Sequence, residues 1–152
     1  MSAYVNFRKN FIERTKENLD WAAENKVPFE ATNLLNSCLG LIVLPTQFLY
    51  EEENRQALLR LPNDLSQQMD IVKIPDNNKS AVNIIRHLRN GIAHGRIEQL
   101  VKDGDIVGIQ IEDRTDNDAP ANTIIRIDID NLKDIALTIA NACCEAFHDV
   151  DE

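Results

Sequence analysis

Ser80-Ala81-Val82-Asn83-Ile84-Ile85-Arg86-His87-Leu88-Arg89-Asn90-Gly91-Ile92-Ala93-His94 is the stretch on which the reading of this chain turns. Projected at about 100° per residue, Ala81, Ile84, Ile85, Leu88 and Ile92 fall on one stripe, the face of an amphipathic helix that must meet a core. Asn83, His87, Asn90 and His94 fall within about 60° of one another on the opposite side. Four hydrogen-bonding groups therefore share a second face. Gly95 follows, where a left-handed residue would end the helix. Beyond it the hydrophobic period changes to two. Val107, Ile109 and Ile111 alternate with Gly108, Gln110 and Glu112, and Ile125, Ile127 and Ile129 alternate with Arg126 and Asp128. These read as strands joined by the polar loop Arg114 to Asn122. A third strand over Ile97 to Val101 would join them through the Asp103-Gly104 turn.

Upstream, Tyr4, Phe7, Phe11, Leu19 and Ala22 recur with the period of an amphipathic helix over Tyr4 to Ala23. Pro28 suits the first turn of a second helix over Phe29 to Leu44, which Pro45 should end or kink because its ring removes a donor. Glu51 to Leu61 reads as a short polar helix, and Pro62 to Asn78, rich in Pro, Asn and Asp, as mostly connector. Asp130 offers an N-cap to a last helix with Leu132, Ile135, Ala136, Ile139, Ala140, Cys143 and Phe147 on one face. The expected fold is mainly α: an antiparallel helix bundle with a small antiparallel β-hairpin or meander before the last helix. At 152 residues with 43% apolar content, the chain suits a single domain over 1–152 that buries its own core.

The net charge is -9, from 25 acidic and 16 basic residues, which argues against broad non-specific binding along a duplex. Any nucleic-acid contact should be local. From Asn77 to Ile97 the chain carries Lys79, Arg86, Arg89 and Arg96 and no Asp or Glu, so basic charge is gathered around the motif helix. Cys38, Cys143 and Cys144 lie in apolar helical segments, and their odd number and the adjacency of two of them point to thiols in a reducing cytosol. No signal peptide or spanning segment is legible, so a cytoplasmic protein without a membrane partner is expected. The histidines and cysteines form none of the usual paired-ligand spacings; Cys144 and His148 read better as helix residues than as ligands, and neither metal nor cofactor is expected.

Arg89, a polar Asn90 and His94 form an R-x-x-x-x-H motif, and with it the chain resembles the HEPN domains, many of which are metal-independent ribonucleases. The order of helices resembles theirs; the strands depart from the simplest all-helical members. The resemblance implies a composite site at a homodimer interface, with Arg89, Asn90 and His94 catalytic. Arg89 and His94 leave the helix about 140° apart, so two copies meeting across a dyad would bring Arg and His together more readily than one. Histidine titrates near neutrality and can serve as base or acid, arginine offers a permanent fork of donors to phosphate, and Asn90 can orient the imidazole or bind the phosphate.

Several residues keep two readings. Arg86 and Arg96 are either contacts to the RNA backbone or ordinary surface arginines. His87 shares the polar face and is expected to support RNA binding rather than to catalyse. In the second helix, Thr32, Asn33, Asn36, Ser37 and Gly40 form a small, polar set that suits close helix packing, unless Asn36 or Glu30 reaches the motif cleft from behind. Gly91 would permit close approach of two motif helices. The leading expectation is a HEPN-type endoribonuclease acting on RNA as a toxin or phage-defence effector, with an antitoxin or neutralising protein as a possible partner. The alternatives are a non-catalytic HEPN-like dimer that binds RNA, a nucleotide or a protein, and a purely structural helical dimer.

Overall fold

The computed structural model describes residues 7–28, 30–49 and 61–148. In chain order these form α1 (Phe7–Glu24), α2 (Glu30–Leu49), a 3₁₀ turn (Leu65–Gln68), β1 (Asp70–Lys73), a second 3₁₀ turn (Pro75–Asn77), α3 (Ala81–Ala93), β2 (Ile97–Lys102), β3 (Asp105–Asp113), β4 (Thr123–Asp128) and α4 (Ile129–His148). The strands make one antiparallel sheet in the order β1-β4-β3-β2. The fold is thus mixed, with four described helices and a four-stranded sheet against which α3 and α4 lie, rather than a helix bundle decorated by a hairpin.

Alternation along β3 and β4 turns Ile109, Ile111, Ile125 and Ile127 to one face, where none is more than 1% exposed. Each such side chain stabilises the fold by roughly 1.5–3 kcal/mol on leaving water. The helices cover that face. From α4 come Leu132, Ile135, Ala136, Ile139 and Ala140, and from α3 come Ile84, Ile85 and Leu88, all without measurable exposure. α2 packs behind both, and α1 lies on α2 and α4. The opposite face of the sheet stays polar, as one-sided antiparallel sheets do, with Arg126 Nε donating to Gln110 Oε1 at 2.9 Å.

Three expectations change. The supposed connector contains β1, an edge strand that pairs with β4 through a register shift between Ile71 and Lys73. Its four residues are too short to show a period between the turn signals on either side. α2 does not end at Pro45 but continues to Leu49. Pro45 deprives the Leu41 carbonyl of its helical donor, and the buried Thr46 hydroxyl turns back to donate to the carbonyls of Ile42 and Val43. α4 begins at Ile129, directly after β4, so Asp130 lies in its first turn rather than at its cap. There its charge still favours the positive end of the helix dipole.

The helix expected over Glu51 to Leu61 lies outside the described residues but for Leu61, which is buried. The side chains of Cys143, Cys144, Phe147 and His148 and the acidic tail also lie outside them. Cys38 is fully buried, and burial pushes its thiol up to about 12, opposed only weakly by the charge of Lys133. It is a packing residue, since the thiol and not the thiolate prevails at neutral pH. No described helix is long and apolar enough to cross a membrane.

Candidate active site at the end of α3

Local chemistry defines both ends of α3. Ser80 caps the start, its hydroxyl accepting from the Asn83 N–H at 3.4 Å, while the Asn83 amide donates to the Asn78 carbonyl at 2.9 Å. At the other end Gly95 adopts φ +67. Its N–H donates to the Ile92 carbonyl at 3.0 Å, and the Arg96 N–H donates to the Gly91 carbonyl at 2.8 Å. This paired closure requires a left-handed residue just past the cap, which is the role expected of Gly95. His94 is that cap, with φ -91 and ψ 6, and its side chain faces solvent.

The polar stripe of α3 is covered along most of its length by the same chain. A Cβ on Gly91 would lie 2.5 Å from both the Glu112 carbonyl oxygen and the Ile111 Cγ2, so the close approach this glycine permits is to β3 rather than to a second motif helix. Asn83 is 9% exposed and His87 5%. His87 Nδ1 lies 2.7 Å from Asp113 Oδ2 and 3.2 Å from Thr123 Oγ1, while Arg86 Nη2 approaches His87 Nε2 at 3.3 Å. An arginine can only donate, so Nε2 accepts and the ring proton sits on Nδ1, where Asp113 receives it. Both ring nitrogens are engaged inside the chain. His87, expected to face RNA, is instead a core residue joining α3 to the sheet.

Asp113 is the acceptor around which this corner is organised. Oδ2 also accepts from Asn90 Nδ2 at 3.3 Å, and Oδ1 accepts from the Arg114 N–H at 2.9 Å and from Arg96 Nη1 at 3.4 Å. The carboxylate is 5% exposed. Burying a charge is costly unless it is paired and hydrogen-bonded, and four donors meet that need here. The basic flank of α3 thus receives its acid from β3. Thr123, the register partner of Asp113 on β4, completes the floor and donates its own proton to Asn122 Oδ1 at 3.0 Å.

Toward its C-terminus the stripe opens. Asn90 is half-buried and accepts from Arg89 Nη1 at 3.2 Å. Arg96 is held on its other side by Asn117 Oδ1 at 2.7 Å, and its side chain retains 16% exposure. Arg86 is exposed, its Nη2 donating to Asn83 Oδ1 at 2.7 Å. Arg89, Asn90, Arg96 and His94 therefore gather at one end of α3, with Arg86 farther back along the helix. The arrangement combines guanidinium donors suited to phosphate oxygens with one solvent-accessible imidazole able to move a proton.

Two residues expected behind this site lie elsewhere. Glu30 lines a cavity of about 210 Å³ with Leu19, Ala22, Asn33 and Lys133, between α1, α2 and the start of α4. Asn36 is exposed on α2. Of the small set on α2, Gly40 serves packing: a Cβ there would already touch the Phe11 ring at 3.4 Å. Asp113 and Thr123 were missed by the motif reading. Strand parity could have found both, because they continue the inward series Ile109, Ile111 and Ile125, Ile127.

The family model described as HEPN pEK499 p136 matches residues 1–149. No curated protein and no solved structure matches the chain. The match covers nearly the whole sequence, and the chain belongs to this HEPN family.

Proposed function

We propose that this member of the HEPN family is a metal-independent endoribonuclease in which Arg89, Asn90 and His94 form the site and a second copy of the chain completes it. The observation that carries the reading is the contrast at the end of α3: His94 is the exposed cap of the helix, while one turn back a half-buried Arg89 has its guanidinium tied to Asn90. RNA brings its own nucleophile. A histidine takes the proton of the 2'-hydroxyl, whose oxygen attacks the adjacent phosphorus. The bond to the 5'-oxygen breaks, and that oxygen leaves with a proton from an acid. Arginine donors stabilise the charge that builds on the phosphoryl oxygens.

One His94 cannot stand on both sides of the phosphorus, which favours two copies meeting at their His94 ends. Asn83 is buried and His87 and Gly91 are already covered by β3 and β4, so such a dimer would use the open end of the stripe rather than its whole length. Arg96 and Arg86 would hold the flanking RNA backbone. A cytoplasmic toxin or phage-defence effector, restrained by a neutralising protein, is the biological setting this chemistry fits.

The test is cleavage of RNA by the purified protein in EDTA. We expect 2',3'-cyclic phosphate ends and no cleavage of DNA, which lacks the 2'-hydroxyl. Activity abolished by the chelator and restored by magnesium or manganese would remove the reaction from Arg89 and His94. Binding of RNA without cleavage under all conditions would favour the non-catalytic HEPN-like module.

A further inference from the structure

Asp113 touches both the buried and the open half of the α3 stripe. His87 and the Arg114 N–H, at 2.7 and 2.9 Å, are its two shortest contacts. Its other two acceptor positions go to Asn90, inside the R-x-x-x-x-H motif, and to Arg96 just beyond it.

We propose that Asp113 is a positioning residue for the motif, setting the direction of the Asn90 amide and through it the guanidinium of Arg89; its consequence for catalysis rests on the ribonuclease reading. The reasoning is one of donor and acceptor polarity. A carboxylate only accepts, so the side chain beside it must present N–H. Asn90 turns its Nδ2 to Asp113 Oδ2 at 3.3 Å, which leaves its Oδ1 on the far side, 3.2 Å from Arg89 Nη1. Flipping the amide would set two oxygens against each other at one end and an NH₂ against a guanidinium at the other. Both contacts would be repulsive, so the charge on a β3 residue selects a single state for two α3 residues. A guanidinium whose Nη1 is held by the Asn90 oxygen is fixed in direction at that nitrogen, as a fork that must meet phosphate oxygens requires.

The same carboxylate holds Arg96 Nη1, while Asn117 in the loop after β3 holds Nη2. Asp113 thus orders one arginine directly and another through Asn90. Nothing in the motif itself specifies this. The acid comes from a strand that is distant in sequence and reaches the site only because the parity of β3 turns position 113 inward.

The experiment compares Asp113→Asn, Asn90→Ala and the double variant in the full chain, following the Asn90 side-chain NH₂ and Arg89 Nε–H resonances alongside RNA cleavage and thermal melting. Asp113→Asn keeps the shape but lets either end of the new amide face Asn90. We expect both resonances to shift and broaden in a protein that still melts cooperatively. kcat should fall about 10- to 10²-fold, as for a misplaced catalytic group, with KM changed less than about twofold. Because Asp113 acts on Arg89 through Asn90, the same substitution should cost less than about twofold in the Asn90→Ala background.

Unchanged Asn90 and Arg89 resonances in folded Asp113→Asn, or an equal cost in both backgrounds, would overturn the proposal. Should Asp113→Asn fail to fold, Asn90→Ala interrogates the same link while sparing the bonds of Asp113 to His87, Arg96 and Arg114. An Arg89 Nε–H unmoved by that variant would overturn it too. A parent protein that does not cleave RNA would refute the ribonuclease reading alone, and the resonances would still decide whether Asp113 sets the two side chains.

Discussion

The two halves of the polar stripe on α3 carry similar side chains and meet opposite fates. His87 is sealed against Asp113 and Thr123, and Asn83 is buried with its amide on the Asn78 carbonyl, whereas Asn90 is only half covered and His94 is open. Projection of the helix puts all four on one face, and their chemistry does not separate them. What separates the histidines is what each one meets. Asp113, the last residue of β3, and Thr123, the first of β4, roof the stripe at His87, whereas His94 is the exposed cap of α3. A histidine under the roof becomes a structural donor, and one past its edge is available for proton transfer. His94 and His87, two stripe positions apart, should therefore respond to mutation on different axes.

The largest effect on folding should come from the covered half. His87→Ala removes the shortest donor to a buried carboxylate, and leaving a buried polar group short of its partner costs about 1–3 kcal/mol. Asp113 keeps Asn90, Arg96 and the Arg114 N–H, but the lost ring also leaves a cavity, so we expect about 3 kcal/mol, at the upper end of that range. Urea denaturation measures it; a loss below about 0.5 kcal/mol, the usual scale of surface changes, would mean that the roof does not hold the stripe.

Next in size is the contact that lets the roof come so close. Gly91→Ala places a methyl 2.5 Å from the Glu112 carbonyl oxygen, so helix and strand must separate. Overpacking costs about 1–3 kcal/mol, and alanine returns about 1 kcal/mol in helix propensity. The net loss should be about 1–2 kcal/mol. A variant as stable as the parent would show that α3 and β3 part without strain.

The smallest effect belongs to Arg96. Arg96→Ala should weaken RNA binding a few-fold and reduce the salt slope by about 0.7, as for one phosphate contact on a single strand. Binding titrations at several salt concentrations check this, and an unchanged slope would make Arg96 only a tether between Asp113 and Asn117.

Much of this architecture was legible wherever a signal was local or periodic. Gly95 marked the end of α3 by the conformation it takes, and the alternation around Ile109, Ile111, Ile125 and Ile127 marked the two central strands. The Asp103-Gly104 turn joined β2 to β3 where expected, both residues at positive φ. Signals that depend on a partner were lost. β1 is four residues, too few to carry a period, and its pairing with β4 and the packing of Ile71 on the core are not written in its own stretch. Pro45 reads locally as a stop, although α2 runs past it to Leu49. The candidate site divides the same way. Arg89, Asn90 and His94 were visible as a motif, but the fate of His87 depended on which side chain would face it. Asp113, just before the polar loop that opens at Arg114, drew no reading, although its parity with Ile109 and Ile111 already placed an acid on the inner face.

The central claim is that the open end of α3 carries the chemistry, and His94→Ala tests it most directly when RNA cleavage in EDTA and thermal melting are measured on one preparation. The account predicts at least about a 10²-fold fall in cleavage, the lower range for loss of a general acid or base, with stability within about 0.5 kcal/mol of the parent, as for an exposed side chain. Cleavage equal to the parent, or a loss of activity that only follows loss of the fold, would contradict it.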